Sequence, residues 1–369
     1  MFICYYELIN QNKKIMISSV ITGTGAYIPV IQKDNNEFLE NRFLNADGSD
    51  FSYPNDIIIE KFKAITGIQE RRYAELKHNA SDLGYFAAKK AIEDAKINSE
   101  ELDYIIVAHN FGDVKNAAIQ SDILPSLATR VKYRLGIENP NCVAYDILFG
   151  CPGWIEGVIQ AHAFIKGEMA KKVLVIGAET LSRVVDKYDR DAMIFSDGAG
   201  ACIVEAKEKN DAGIISHVTQ TFAKEEAYYL HFGNSFDKNE NSDVRYIKMD
   251  GRKIYEFALN NVPNAMKTAL DKSGIPIDEV KKIFIHQANE KMDEAIIKRF
   301  FRLHKKPVPN GVMPMSIHKL GNSSVATVPT LLDMVLKGQV ENQEVHKGDV
   351  IIFASVGSGM NINAIVYRY

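Results

Sequence analysis

Tyr145-Asp146-Ile147-Leu148-Phe149-Gly150-Cys151-Pro152-Gly153-Trp154 decides how the rest of this chain is read. The apolar run 143–150 predicts a buried strand ending at a glycine. Pro152 then marks a helix start, because a proline at the first helical position loses no hydrogen bond and already has a helical φ. From Trp154 to Ile165 apolar residues recur at helical spacing. A core strand, a tight turn and a helix in this order belong to an α/β protein, with the Cys151 thiol at the turn. The dipole and free N–H groups of a helix N-terminus favour an anion, which predicts a lowered thiol pKa and a reactive cysteine. The same residue also reads as a small buried hydrophobe, the commonest fate of a lone intracellular cysteine. The local sequence leaves both readings open.

Outward from this segment, strands are predicted at 17–26, 104–108, 173–178 and 198–205. Helices are predicted over 81–95, with Ser81 as N-cap, and over 122–135, where Pro125 blurs the start. The order then recurs: strand 213–221, helix 251–272, strand 282–285, helices 289–301 and 323–336, and closing strands 350–355 and 361–367. Strands alternating with helices predict buried sheets. The recurrence predicts a pseudo-duplicated fold that divides near 207–212, into halves 17–212 and 213–369. Gly23-Thr24-Gly25 is a weak phosphate-loop suspect; no helix with exposed glycines follows, so a strand passing close to another backbone is the better reading. The polar segments 32–56 and 231–245 read as surface loops. Residues 1–16 read as a poorly ordered extension, not a signal peptide, because an acid interrupts the apolar part and no small-residue cleavage site follows. Met16 is an alternative start.

The composition excludes several classes. The 369 residues are 46% hydrophobic and 25% charged, as in an ordinary soluble globular protein. A net charge of -3, with no basic stripe and no zinc spacing, gives nucleic-acid binding no support. Four cysteines in so long a chain do not make a disulfide framework and fit a reducing cytosol. No apolar run reaches the roughly 20 residues of a membrane span, and no residue cluster suggests a metal.

Two further segments carry chemistry. In Phe284-Ile285-His286-Gln287-Ala288-Asn289, a histidine ends an apolar strand just before a helix. Ligand sites of α/β sheets gather at such carboxyl ends. In Gly321-Asn322-Ser323-Ser324, Asn322 occupies a turn before a helix, where an asparagine usually caps. Singly, His286 reads as a structural hydrogen-bonder and Asn322 as a cap. Together with Cys151, each at a junction into a helix, they form a set able to activate a thioester.

These segments give the chain a resemblance to the β-ketoacyl-acyl-carrier-protein synthase III family of the thiolase superfamily. It rests on ITGTGAYIP at 21–29, TGIQERR at 66–72, the Cys151 turn, SDGAGA at 196–201, IHQAN at 285–289, GNSSVATVP at 321–329 and the glycine-rich 356–360, all in family order. The resemblance implies a five-layered αβαβα thiolase fold, a cytoplasmic homodimer and a role in fatty-acid biosynthesis. It implies Cys151 as nucleophile, completed by His286 and Asn322. No cofactor is bound; the substrates are an acyl thioester of coenzyme A or acyl-carrier protein, and malonyl-acyl-carrier protein. The chemistry suits these residue types. A thiolate attacks a thioester readily, and the enolate formed by loss of CO2 from a malonyl thioester needs hydrogen-bond donors, which a neutral histidine and an asparagine amide supply. The oxyanion hole would be the N–H groups of Cys151 and Ser358.

The chain departs from the family at several points. Gly150-Cys151-Pro152-Gly153 stands where Ala-Cys-Ala-Gly is frequent, and Gly357-Ser358-Gly359 replaces a triple glycine. The aromatic that stacks on the adenine of coenzyme A aligns near Lys61, which favours acyl-carrier protein as the primer's carrier. Leu124 matches a residue, often Phe, that closes the partner's acyl tunnel in the dimer; the smaller side chain predicts a longer tunnel. Lys291, Lys298 and Arg299 share a helix face and read as a solvated face or as a docking patch for an acidic carrier protein, while Arg190 matches an arginine at the phosphopantetheine entrance. The rival readings are a condensing enzyme joining longer acyl chains into a secondary lipid such as an alkylresorcinol, a catalytically silent subunit of a heterodimer, a hydrolase, and a papain-like Cys-His-Asn enzyme with an ion-paired histidine.

Overall fold

The computed structural model describes residues 17–118, 120–208, 211–240 and 243–369. The expectations for 1–16, including Met16 as a start, and for Cys4 lie outside these residues.

Two sheets organise the chain. The first has the order β1 (Ile17–Tyr27), β9 (Asp197–Glu208), β8 (Lys172–Thr180), β4 (Tyr104–Ala108), β7 (Val143–Ile147). The second has the order β10 (Gly213–Thr221), β15 (Asn361–Arg368), β14 (Val350–Gly357), β13 (Val280–Ile285). In each, the first three strands run antiparallel to their neighbours and the next pair is parallel. The second sheet therefore repeats the first strand for strand, up to β7, which has no counterpart there among the described residues.

The layers follow from side-chain alternation along buried strands. On β8, Val173 and Val175 face inward against helices α4 (Gly153–Lys166) and α8 (Thr327–Leu336), which lie between the sheets. Ile351 and Phe353 of β14 face the same helices from the other side. The opposite faces carry Leu174 and Ile176, covered by α2 (Ala80–Ala95) and α3 (Leu127–Leu135), and Ile352 and Ala354, covered by α5 (Gly251–Ser273) and α6 (Glu290–Leu303). Helix, sheet, helix, sheet, helix: the duplicated five-layer arrangement is the one expected. The Gly-Thr-Gly segment is a close backbone crossing, since a methyl group at Gly25 would fall 2.4 Å from the Ala87 carbonyl oxygen of α2.

Several local expectations are corrected. β7 is not a buried strand; it is the edge of its sheet, with Val143 exposed and the rest half-buried, because only β4 pairs with it. Helix α2 starts one residue early and is capped by Asn79 in a capping box with Asp82, not by Ser81. The helix predicted from 122 begins at Leu127, where the Ser126 side chain accepts from the Thr129 N–H. The helix predicted from 323 opens with a 3-10 turn, Ser324–Ala326, before α8. The polar segments hold structure too. Segment 32–56 runs through most of β2 (Ile31–Asp34), which pairs with β3 (Glu70–Tyr73), and enters α1 (Asn55–Thr66). Segment 231–245 lies within a hairpin of β11 (Leu230–Gly233) and β12 (Tyr246–Met249). A third small pair, β5 (Asp113–Val114) with β6 (Ser121–Asp122), precedes α3, and a single turn, α7 (Ile317–Leu320), precedes Asn322.

Candidate active site

The thiol, the histidine and the glycine-rich loop all follow the carboxyl ends of strands. Cys151 comes after β7, at a bend made by Gly150 with φ 66° and tightened by a hydrogen bond from Gly153 N to Gly150 O at 3.0 Å. His286 directly follows β13, and its N–H donates to Ala354 O of β14 at 2.9 Å. Ser358 directly follows β14. There the glycine-rich loop presses on the cysteine turn: a methyl group at Gly357 would come within 2.4 Å of the Cys151 nitrogen and 2.7 Å of Pro152 Cδ. Only glycine permits this contact, and it sets Ser358 beside Cys151.

Asn322 is fixed by its own backbone. Its N–H donates to Ile194 O at 2.9 Å, and its carbonyl accepts from Ser196 N at 2.8 Å. The buried Arg71 holds that strip in place, its Nε donating to Met193 O at 3.1 Å and an Nη to Asn35 Oδ1 at 2.8 Å. Asn322 Oδ1 accepts from Ser324 N at 2.7 Å. The approach from the histidine side is set by Gln287, fully buried, which donates to Pro314 O at 2.8 Å and accepts from Ser316 N at 2.9 Å and Ile317 N at 3.1 Å.

Ser324 joins these parts. Its hydroxyl donates to Cys151 Sγ at 3.2 Å and accepts from Asn110 Nδ2 at 3.0 Å. Asn110 in turn donates, through N–H at 2.8 Å and through Nδ2, to the buried carboxyl of Glu179. The Ser324 backbone lies beside the His286 ring. Sequence reading passed over Ser324, Asn110 and Glu179. Ser324 stood in a quoted motif, whereas Asn110 and Glu179 meet it only through the fold.

Burial governs the electrostatics. The Cys151 thiol is pushed up to about 11 by burial, with the Ser324 hydroxyl opposing and Glu179 adding to the rise. The direction is opposite to the lowered pKa expected from the helix terminus: the glycine-rich loop packs on the turn that precedes α4, and burial is the largest effect on the thiol. The same loss holds His286 down at about 4, a neutral imidazole near pH 7 whose buried Nδ1 makes no hydrogen bond among the described residues. An ion-paired Cys-His couple of the papain kind has no support in this pair of shifts. Burial also raises Glu179 to about 8.

Cys151, Ser324 and Ser358 open on a cleft of about 410 Å³ walled by Phe111, Phe149, Phe195, Leu230, Phe232 and Ile247. Phe111 stacks on Phe232 at 4.8 Å between ring centres, so the β11–β12 hairpin supplies one wall. That hairpin is fastened by Lys248, buried between Asp186 at 2.7 Å and Asp189 at 3.0 Å. His286 and Asn322 are not among the residues that line this cleft.

The remaining expected residues are outside the cleft. Leu124, 88% exposed, lines nothing of its own chain's cleft. Arg190 is half-exposed near Asp191, with its guanidinium 5.5 Å from the Phe51 ring; Lys61 sits over Tyr53 at 3.5 Å. Lys291 is exposed, Lys298 pairs with Glu294 at 3.3 Å, and Arg299 donates to Leu259 O and Asn260 Oδ1 of α5. Among the described residues no three His, Cys, Asp or Glu side chains are grouped as a metal site needs, and no helix is long and apolar enough to cross a membrane.

Comparison with known proteins bears on this geometry. Residues 145–222 match the family 3-oxoacyl-[acyl-carrier-protein] synthase III, and residues 270–369 match its C-terminal counterpart. A β-ketoacyl-[acyl-carrier-protein] synthase III of Neisseria gonorrhoeae is 32% identical over 95% of this chain and 98% of its own length. One from Xanthomonas campestris is 31% identical over 96% and 99%. A crystal structure of 3-oxoacyl-[acyl-carrier-protein] synthase III from Aquifex aeolicus superposes with a TM-score of 0.76 at 30% identity, covering 95% of this chain and all of the other. With fold and sequence in agreement over nearly its whole length, the chain belongs to the β-ketoacyl-acyl-carrier-protein synthase III family of thiolase-superfamily condensing enzymes.

Proposed function

We propose that the chain catalyses a decarboxylative Claisen condensation through an acyl-Cys151 intermediate. The observation that carries this reading is the meeting of Cys151, Ser358 and Ser324 in the lining of one apolar cleft, with Asn322 joined to Ser324 by a hydrogen bond. The Cys151 thiolate attacks the carbonyl of an acyl thioester; the new C–S bond forms and the carrier thiol leaves. The N–H groups of Cys151 and Ser358 hold the oxyanion. Malonyl-acyl-carrier protein then loses CO2, and its enolate is held by neutral His286 and by Asn322 Nδ2. The enolate carbon attacks the acyl-Cys151 carbonyl, the C–C bond forms, and the Cys151 thiolate leaves. The elbow half, 17–212, supplies the nucleophile and the half 213–369 the enolate donors.

The cleft favours one refinement. Four phenylalanines, with Leu230 and Ile247, offer more apolar wall than an acetyl group needs, which supports a longer acyl chain and hence the secondary-lipid reading of the same chemistry. Arg190 beside Phe51 suits a phosphopantetheine or coenzyme A entrance, and the exposed Lys291 suits an acidic carrier protein; the hydrogen bonds of Arg299 and the ion pair of Lys298 leave those two less available. The active form would be a homodimer, with Leu124 reaching into the partner's cleft. The deciding experiment incubates the protein with acyl thioesters of graded length and malonyl-acyl-carrier protein, following the protein and products by mass. An acyl adduct on Cys151 and a β-ketoacyl product are expected; free acid with no malonyl requirement would replace this reading by a hydrolase.

A further inference from the structure

The chemistry above leaves one need unmet. Burial disfavours the Cys151 thiolate, and His286 is outside the cleft lining. A hydrogen-bond donor at the sulfur favours the anion, and the Ser324 hydroxyl stands there at 3.2 Å. We propose that the Ser324 hydroxyl is a catalytic group that stabilises the Cys151 thiolate by donating a hydrogen bond to Sγ, and that Asn110 and Glu179 are positioning residues that aim it. The inference rests on the reading of Cys151 as nucleophile.

Three observations converge on it. The first is direction. A hydroxyl has one hydrogen to give, and Asn110 Nδ2, itself a donor, occupies the acceptor side of Ser324 Oγ at 3.0 Å. The hydrogen of Ser324 is thereby left for Sγ at 3.2 Å. Asn110 cannot turn its carbonyl to Ser324 without breaking its side-chain bond to Glu179, whose oxygen also takes the Asn110 N–H at 2.8 Å. The polarity of the chain from Glu179 to sulfur is therefore fixed. The second is backbone conformation. Ser324 has φ 52°, a left-handed value that costs a non-glycine residue free energy. Glycine would remove that cost, yet the residue here carries a hydroxyl aimed at the sulfur. The third is enclosure. Ser324 and Glu179 are buried, and in such surroundings a hydrogen bond to a charged atom is stronger than in water. The titratable groups facing this array are Glu179 from β8, Asp197 from β9, which acts on Glu179, and His286 after β13. Glu179 as an anion would oppose the thiolate, and its burial favours the neutral acid around pH 7.

The test reads the ionisation of the thiol itself. Protein labelled with 13C at cysteine Cβ is titrated by NMR, with the Cys151 line assigned by its loss in Cys151→Ala. Ser324→Ala and Ser324→Gly should each move the titration upward by about one pH unit or more, the size of a hydrogen bond to a charged atom. The glycine variant relieves the left-handed φ, so it folds even if the alanine variant does not. Asn110→Ala should shift it in the same direction by less, because the hydroxyl stays but loses its aim. A change in solvent access alone would lower the titration, because burial is what raises it, and an unmoved or lowered titration in both Ser324 variants overturns the proposal. Acyl transfer to wild-type Cys151 is measured alongside. Normal acylation with an unmoved titration rejects Ser324 and keeps the condensing reading. A shifted titration with no acylation from any thioester does the reverse.

Discussion

The Cys151 turn is fixed by its own backbone at Gly150 and by the glycine loop after β14, so removing the thiol tests chemistry and not folding. Cys151→Ala should abolish the acyl adduct and condensation, with the thermal midpoint changed by a few degrees at most; condensation surviving in an intact-mass assay would remove Cys151 as nucleophile. Cys142 and Cys202 are buried free thiols in the outer and inner core layers, and alanine at either should leave turnover close to wild type. The family resemblance, together with His286 and Asn322, and not the local turn alone, singled out Cys151 as the proposed nucleophile; the strand–turn–helix placement of Cys151 was legible in the sequence. Its acidity was not. A helix terminus is visible in a local window, whereas the glycine loop of β14 that covers it lies some two hundred positions away and adds the burial that drives the thiol upward.

At the scale of elements, His286 follows a strand of the second sheet and Cys151 a strand of the first, and the proposed division of roles predicts a separable defect. His286→Ala and Asn322→Ala should each lower malonyl decarboxylation by roughly 100- to 1,000-fold, as loss of one oxyanion donor does, while acyl transfer to Cys151 falls less. Single-turnover acylation and CO2 release distinguish the steps, and equal losses would assign either residue a part in activating the thiol. The β11–β12 hairpin supplies a second test. Phe232→Ala opens the wall that Phe111 stacks against, so acylation should shift toward longer or bulkier acyl groups; an unchanged length profile would place the acyl chain elsewhere. The hairpin escaped sequence reading because its strands are four residues each, flanked by Asn, Asp and Gly, too short for alternation to register. β7 was misread as buried for a related reason: an apolar run does not reveal which strand ends a sheet. By contrast the long strands and helices of both halves were legible, since each is apolar or amphipathic over many residues.

The whole molecule sets two further expectations. Leu124 stands almost fully exposed on its own chain, and in the proposed dimer it would close the partner's cleft. Leu124→Phe should then slow acylation by long chains and spare acetyl, an overpacking penalty of about 1 to 3 kcal/mol that grows with chain length; a uniform effect would remove Leu124 from the tunnel. The joint between the halves holds His162, its Nδ1 2.9 Å from Ser19 Oγ and its ring 5.9 Å from that of His217 on β10. Burial lowers His162 to about 4, below its ordinary value of 6.5. The unfolded chain therefore binds more protons between those values, and the folded state loses stability as pH falls from about 6.5 to 4. His286, also lowered to about 4, adds to the same loss. Urea unfolding of wild type and His162→Gln should show a gap that narrows as pH falls through this window, and a gap constant with pH would mean that His162 does not titrate there differently in the two states.

The matched strand order of the two sheets also bears on symmetry. Two identical chains facing each other must offer the same loops from each side, whereas two repeats within one chain need not. Among the described residues the first sheet adds β7, followed by the turn that carries Cys151, while the second ends at β13, followed by His286. One framework used twice in a single chain can thus present different side chains at its strand ends, which a symmetric pair of identical units could not.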